Sequence, residues 1–208
     1  MQMIENNTFY KYLPLHIALL IPIPGRFVFG FTIVIEHLFL TLIGTLINSL
    51  INKLNLKELK TVIILITLVS GTIFFRQILV ATYTEIALTL GYFIFMPAVS
   101  LFLIQIIYND LEQPLLLRLK TNLIHTTVFS LYSLIFFLFR DIAGFGTFTF
   151  YSKNHMFSEK ILFKADSVGI FSFFATLPGV LILAAALLIT NLFIHEKFKM
   201  IKRAEPKK

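Results

Sequence analysis

The stretch from Arg140 to Thr147 combines the residue types most able to do chemistry in this chain. Arg140 and Asp141 place a cation beside an anion at the end of an apolar run, and Gly144 and Gly146 then flank an aromatic residue. Glycine adopts the backbone conformations of a sharp turn and lets two segments approach closely. The pattern predicts a helix that ends in an ion pair of Arg140 with Asp141, followed by a turn that reaches Thr147.

Glu36 and His37 lie near the start of a long apolar run. A charge inside a bilayer is costly, so it needs a specific role. One interpretation makes the two residues an interfacial pair that reaches the lipid headgroups. The other makes Glu36 part of a path for a cation.

Arg76 lies deeper in the next run, and Glu85 follows nine residues later. Nine residues span roughly 13 Å along a helix, which is too far for an ion pair within one straight helix. Arg76 therefore pairs with another helix or extends its side chain to the outer surface. Together with Glu36, these two residues are the candidates for an ion path or for pairing between helices.

The chain contains no cysteine. Disulfides, cysteine nucleophiles and thiolate-ligated zinc or iron–sulfur sites are therefore excluded within it. His125 has no other histidine at ligand spacing, so we expect a hydrogen-bonded residue near a helix end and no metal site. Because no nucleophile–base pair is visible either, we predict no catalytic residue and no cofactor in this chain.

The composition indicates the environment of these residues. Hydrophobic residues make up 57% of the chain and charged residues only 14%, whereas soluble domains carry about 25% charged residues. A soluble fold of this size could not bury so much apolar surface, but a bilayer can accommodate it. The net charge of +7 is distributed between the apolar runs, which argues against a nucleic-acid partner.

Six apolar runs predict an all-α integral membrane protein with about six transmembrane helices in one domain, residues 1–208. The predicted segments cover residues 12–25, 31–52, 61–83, 86–108, 121–139 and 169–195. Runs of about 20 residues cross a bilayer as helices, because every backbone polar group must be satisfied within the segment. The third and fourth segments must form a tight hairpin with Thr84 and Glu85 near its turn.

The distribution of lysine and arginine predicts the orientation. With six spans, twelve cations fall on the side of both termini and five on the other side. Positive charge concentrates on the cytoplasmic side, so we expect cytoplasmic termini in the cell (inner) membrane and the 141–168 loop outside. The basic tail of residues 196–208 is expected to attract anionic lipid.

Prolines interrupt several of the apolar segments. Pro22 and Pro24 lie in the first segment, Pro97 in the fourth, and Pro178 beside Gly179 in the sixth. Broken helices at corresponding positions are typical of two inverted three-helix repeats with a binding site between them. They are also typical of simple kinks, which transmembrane helices tolerate. The sequence leaves both interpretations open.

These motifs resemble those of a known family, the small six-helix membrane subunits shared by Rnf electron-transport complexes and the sodium-pumping NADH:quinone oxidoreductase (the NqrDE/RnfAE family). The stretch from Arg140 to Phe148 is similar to the family's Arg-Glu followed by a Gly-x-Gly-Thr-Leu turn. Leu177-Pro178-Gly179 is similar to the start of its last helix, and Leu90-Gly91 with Pro97 to part of its fourth helix. The resemblance covers most of the chain and is closest to the RnfE/NqrD branch.

The chain departs from this family at the cysteines. Paired subunits of the family hold an iron–sulfur cluster on cysteines from a Leu-Cys-Pro turn and from the fourth helix. Here Ile21 stands near the first cysteine position, and Leu101 or Leu103 near the second. Isoleucine and leucine cannot bind iron, so the resemblance implies a divergent subunit without its own redox centre.

The leading functional hypothesis is a scaffold-like, non-catalytic membrane subunit of an Rnf/Nqr-like ion-translocating electron-transport complex. The resemblance implies other membrane subunits as partners, among them a homologous six-helix subunit. The alternative is a small-molecule transporter, or the substrate-binding membrane component of one. The broken helices and the intramembrane charges motivate that alternative.

Overall fold

Helices make up most of the protein. The computed structural model describes residues 18–56, 58–108, 114–152, 156–163 and 169–204. In chain order the α-helices and strands are α1 Phe27–Lys53, α2 Lys60–Thr82, α3 Thr84–Leu90, α4 Leu101–Tyr108, α5 Leu115–Phe139, β1 Thr147–Tyr151, β2 Phe157–Ile161 and α6 Leu177–Ala204. Two 3₁₀-helices cover Gly91–Phe95 and Gly169–Ala175, and a π-helix covers Arg140–Phe145.

Three helices of the described chain are long and apolar enough to cross a membrane. They are Phe27–Lys53, Lys60–Thr82 and the continuous helix Leu115–Phe145. These helices confirm the prediction of a mainly helical protein with segments suited to a bilayer. Thr84–Phe95 and Leu177–Thr190 are also apolar, but they are shorter.

The predicted first and fourth segments are not continuous α-helices where the structure describes them. Of residues 12–25, those up to 17 lie outside the described residues, and only 18–20 are helical in the remainder. Residues 86–108 divide into the end of α3, a 3₁₀-helix and α4. Gly91 begins the 3₁₀-helix with a φ of +49°, a left-handed conformation that glycine adopts easily. The fourth segment is thus a broken helix.

The predicted loop over residues 141–168 contains a β-hairpin, which adds two strands to a fold expected to be entirely helical. β1 and β2 pair in antiparallel orientation. Thr147 and Thr149 on β1 are buried, while Phe148 and Phe150 between and beyond them are more exposed. This period of two places the threonine side chains on the face of the hairpin that packs on the start of α1.

The α1 helix lies at the centre of the packing. It contacts α5 most extensively and also packs against α2 and α4. One apolar cluster includes Phe29 of α1, Phe137 of α5 and Val180 of α6. A second cluster includes Leu40 of α1 and Leu68 of α2. Residues on α1 therefore meet almost every other long element.

The helices α2 and α6 direct much of their apolar surface outward. On α2, Ile66 and Phe74 are 61% and 58% exposed, and on α6 Ile189 is 66% exposed. Such surfaces fit contact with lipid chains or with another membrane subunit. The α6 helix continues to Ala204, so the predicted basic tail is helical over its described part, residues 196–204.

Gly30 tests how closely α1 and α5 pack. A methyl group there would overlap the ring of Phe137, whereas one at Gly71 of α2 would meet only the flexible end of Leu40, at 3.0 Å. We expect Gly30→Ala to lower the free energy of unfolding by about 1–3 kcal/mol, although alanine favours helix more than glycine does. Gly71→Ala should leave it unchanged or slightly higher. Equal unfolding transitions for the two variants in detergent, followed by circular dichroism, would contradict this packing.

Candidate functional site

The carboxylate of Asp141 joins the start of α1 to the β-hairpin. It is fully buried, and its Oδ2 accepts hydrogen bonds from the backbone N–H of Phe27 at 3.0 Å. The same oxygen accepts the N–H and the hydroxyl of Thr149 at 2.8 and 2.7 Å, and Oδ1 accepts the hydroxyl of Thr147 at 2.8 Å. Because Phe27 opens α1, the carboxylate also lies at the positive end of the helix dipole. Asp141 therefore fixes the beginning of α1 against β1.

Arg140 and Asp141 do not form the ion pair that their adjacency predicts. The Arg140 side chain is buried and donates from Nη1 to the carbonyl of Ile23 at 2.8 Å, while its buried Nε has no acceptor among the described residues. The ion pair at this end of the bundle joins Arg26 to Glu159 of β2, at 2.6 Å. Consecutive helical residues do not face each other, which directs Arg140 and Asp141 to different neighbours.

Gly144 and Gly146 shape the turn that follows. Gly146 has a φ of +68°, the left-handed conformation that ends the π-helix before β1. A side chain at Gly144 would lie 2.8 Å from the backbone nitrogen of Ala175, so the π-helix passes very close to the second 3₁₀-helix. Thr147 then directs its hydroxyl back to Asp141. These residues form the motif turn, Arg140 to Thr147.

A cavity of about 490 Å³ lies beside the motif turn. Arg140 and Arg26 line it together with Glu85 of α3. The Arg26 guanidinium carbon lies 4.5 Å from the centre of the Phe145 ring, which also lines the cavity. The cavity therefore collects two cations and one carboxylate.

A row of buried polar side chains follows the contact between α1 and α5. This polar seam comprises Thr32, Thr41 and Thr45 of α1 with Asn122 and Thr126 of α5. Each α1 threonine donates its hydroxyl proton to the backbone carbonyl one turn earlier, at 2.7–2.8 Å. Its oxygen is then free to accept from a neighbour. Thr126 donates to Thr41 and Asn122 donates to Thr45, each at 3.0 Å.

Tyr151 of β1 extends the polar seam toward the motif turn. Its hydroxyl lies 2.7 Å from that of Thr32, whose own proton goes to the Val28 carbonyl, so Tyr151 is the donor. Burial raises the pKa of Tyr151, an effect that the hydrogen bond to Thr32 opposes and the nearby Tyr83 reinforces. The phenol therefore stays protonated near neutral pH and keeps donating to Thr32.

Glu36 and His37 lie inside the helix bundle. Their side chains are 0% and 1% exposed. The α1 helix begins at Phe27, before the predicted segment start at residue 31, so Glu36 is deeper in the helix than the sequence suggests. The His37 ring faces α5 and lies 5.4 Å from the ring of Phe129. Both side chains therefore lie inside the bundle and not on its outer surface.

Glu36 faces α2, where Thr72 is its polar neighbour. Neither carboxyl oxygen of Glu36 meets hydrogen-bond geometry with a partner in the described chain, and the Thr72 hydroxyl does not either. Arg76 follows Thr72 by one helical turn and is half-buried, with no ion pair to a described carboxylate. Glu36 is therefore the candidate that lies between α1 and α2, Arg76 lies one turn beyond its neighbour Thr72 on α2, and Glu85 lines the cavity.

The structure also locates the histidine of α5 and the residues that stand near the family's cysteine positions. His125 is buried on α5. Ile21 packs against the first apolar cluster and lines the cavity, whereas Leu103 belongs to the second apolar cluster. The side chain of Leu101 lies outside the described residues. The structure therefore does not bring Ile21 and Leu103 into one site.

Sequence reasoning missed the polar seam. Its signal is the spacing of Thr41, Thr45 and Asn48, which recur every three or four residues on one face of α1. Asn48 continues the row by donating its amide to the backbone carbonyl of Ile107. Threonine in an apolar run is common, so the spacing alone does not identify a buried row of hydrogen bonds.

Comparison with known proteins gives no match to a family model, a curated protein or a solved structure. The resemblance to the NqrDE/RnfAE family therefore stays a prediction based on sequence motifs. Within the parts of the chain that the structure describes, no group of three or more His, Cys, Asp or Glu residues is placed to hold a metal ion.

Asp141→Asn tests the carboxylate as an anchor. The variant has one acceptor oxygen and directs an amide N–H₂ toward groups that also donate. Because hydrogen bonds to a charged group contribute about 1.5–3 kcal/mol, we expect the free energy of unfolding to fall by about that amount. Glu159→Gln, the control at the same end, breaks a partly exposed ion pair and should cost less than about 1 kcal/mol. Chemical unfolding in mild detergent compares the two, and a smaller loss for Asp141→Asn would exclude the anchoring role.

Proposed function

We propose that this chain is an ion-coupled membrane component in which Glu36 binds and releases a proton or a monovalent cation. The observation that carries the proposal is the fully buried carboxyl group of Glu36, which lacks a hydrogen-bond partner among the described residues. A carboxylate in an apolar bundle needs a proton or a cation to neutralise it. Ionisable residues of this kind commonly mark ion paths.

The polar seam supplies polar groups along α1 on both sides of Glu36. Thr32 lies one turn before it, and Thr41 and Thr45 continue the row toward the other end of the helix. Thr72 adds an oxygen beside the carboxyl group, and Arg76 brings a positive charge to the same region of α2. A hydroxyl oxygen can accept from a protonated carrier or coordinate a cation, so the Thr72 hydroxyl is suited to assist ion exchange at Glu36.

The family resemblance extends this proposal to an assembly. In that form the chain is a scaffold-like subunit of an Rnf/Nqr-like ion-translocating electron-transport complex, without its own redox centre or cofactor. It has six spans in two inverted three-helix repeats, cytoplasmic termini in the cell membrane and a homologous six-helix partner. The motif turn and the outward apolar surfaces of α2 and α6, where another subunit can pack, support this form.

Proteoliposomes containing the full chain test the role of Glu36. We expect proton or sodium flux above that of empty liposomes, measured with entrapped pH- and sodium-sensitive dyes. Glu36→Gln cannot exchange a proton or neutralise a cation, so it should abolish the flux. Arg76→Gln should reduce it because a positive charge one helical turn from Thr72 is lost.

Glu58→Gln is the matched control, because Glu58 is an exposed carboxylate in the connection between α1 and α2. It should leave the flux unchanged. The infrared band of a protonated buried carboxyl group gives a readout that needs no flux, and it should disappear only in Glu36→Gln. Equal flux and equal spectra for wild type, Glu36→Gln and Glu58→Gln would exclude Glu36 as the ion-binding group.

The alternative form is an independent small-molecule transporter or the substrate-binding membrane component of one. The cavity beside the motif turn favours it, because a volume of about 490 Å³ is in the range of small-molecule sites. In this form the coupled ion at Glu36 drives uptake of a solute.

Purification in mild detergent distinguishes the two forms. We expect the tagged chain to retain a homologous six-helix protein and larger redox subunits if it belongs to an Rnf/Nqr-like complex, since intersubunit apolar contacts survive mild detergent. Mass spectrometry of the purified material identifies them. A stable monomer from the native membrane, with no redox subunit at any detergent concentration, would favour the independent transporter.

A further inference from the structure

The Arg140 guanidinium is a buried cation without a counter-ion in the described part of the protein. Its side chain is 4% exposed, and the ion pair at this end of the bundle joins other residues. The rings of Phe136 and Phe137 lie 5.7 and 5.8 Å from its Cζ, which offsets only part of the lost hydration. Burying a charge is strongly unfavourable unless an opposite charge neutralises it. Glu85 lines the same cavity but forms no ion pair with Arg140, so the guanidinium charge has no direct partner of opposite sign among the described residues.

The unoccupied edge of Arg140 has the geometry to receive an anion. Nη1 donates to the Ile23 carbonyl, and the buried Nε has no acceptor among the described residues. The N–H bonds of Nε and Nη2 lie side by side on the edge away from Nη1. Two parallel donors of this kind match two oxygens of a phosphate or carboxylate group.

We propose that the cavity beside the motif turn binds a phosphate group on the Nε–Nη2 edge of Arg140. This site is separate from Glu36 and does not depend on the ion path. Gly25 leaves room at the guanidinium, because a methyl group there would lie 3.0 Å from Nε and 3.1 Å from Nη2. The cavity also lies at the end of two apolar helices, the start of α1 and the end of α5, the level at which lipid phosphates occur.

The other charges that line the cavity adjust the affinity for the phosphate. Arg26 adds a second positive charge, although Glu159 and the Phe145 ring already engage it. Glu85 carries the same sign as the phosphate and lines the same cavity, so it weakens binding. We therefore expect removal of the Glu85 charge to strengthen phosphate binding. A cavity that binds no phosphate would show no such effect.

Two binding measurements on the full chain in detergent test the site and its source of phosphate. In the first, inorganic phosphate is titrated and binding is followed by calorimetry. In the second, native mass spectrometry counts retained phosphatidylglycerol and compares it with diacylglycerol of the same acyl chains, which lacks the phosphate. We expect saturable binding of one phosphate group in at least one measurement. Binding in the first identifies a soluble phosphate, and binding only in the second identifies a lipid headgroup.

Substitutions connect the binding to Arg140. Arg140→Gln should weaken it roughly ten- to hundredfold, the value of a charge-assisted hydrogen-bond pair. Glu85→Gln should strengthen it several-fold, and Gly25→Ala should weaken it by crowding the guanidinium. Lys160→Gln is the control, since Lys160 is an exposed cation on β2 that does not line the cavity. It should bind as wild type does.

Two results would overturn the proposal. The first is the absence of saturable binding by wild type in both measurements. The second is binding that Arg140→Gln leaves unchanged. If Arg140→Gln does not fold, the affinities of Glu85→Gln and Gly25→Ala for phosphate test the proposal. Unchanged affinity in both variants would show that the phosphate binds elsewhere.

Discussion

The exclusion of water from the contact between α1 and α5 is the constraint on which the rest of the structure depends. Polar groups buried there must find partners inside the protein, because an unsatisfied group costs far more than a satisfied one gains. Each α1 threonine of the polar seam gives its own proton to the helix and offers its oxygen to Thr126, Asn122 or Tyr151. Rotation of α1 by one residue, about 100°, would break every one of these contacts at once. The seam therefore fixes how α1 faces α5, independently of the apolar packing around it.

The same constraint acts at the end of α1, where backbone N–H groups have no partner within the helix. Asp141 satisfies one of them and also receives the hydroxyl and amide groups of β1. One carboxylate thus neutralises the helix dipole and fixes the hairpin at the same time. Both carboxyl oxygens of Asp141 already accept hydrogen bonds from these donors. Arg140 therefore donates to the Ile23 carbonyl instead and lines the cavity. The separation of two adjacent charges is a consequence of the capping interaction.

The sequence predicts the parts of this fold that depend on local composition. The apolar runs behind α1, α2 and α5 and the short connection near Thr84 follow from hydrophobicity. The sequence also predicts an interruption of the fourth segment, but it places the interruption at Pro97, whereas the helix breaks at Gly91. Features that depend on distant partners could not be predicted. The start of α1 at Phe27 requires an acceptor 114 residues away, and the hairpin depends on burying Thr149 against that helix end. The sequence likewise identifies Glu36 and Arg140 as candidate functional residues, but it does not predict that both are buried.

Most buried polar groups in the described part of this bundle have hydrogen-bond partners, and a few do not. Interhelical hydrogen bonds contribute little individually, about 0.6–2 kcal/mol, and their role is to fix geometry. If every buried polar residue had only that role, all donors and acceptors of Glu36 and Arg140 would also have partners, since the Thr72 hydroxyl lies beside Glu36 and the Ile23 carbonyl beside Arg140. Instead the carboxyl group of Glu36 and the Nε of Arg140 have no hydrogen-bond partner among the described residues, whereas the α1 threonines of the polar seam do. Burying an ionisable group without a partner is costly, so these two residues differ in kind from the hydrogen-bonded groups of the polar seam, which contribute only to packing geometry.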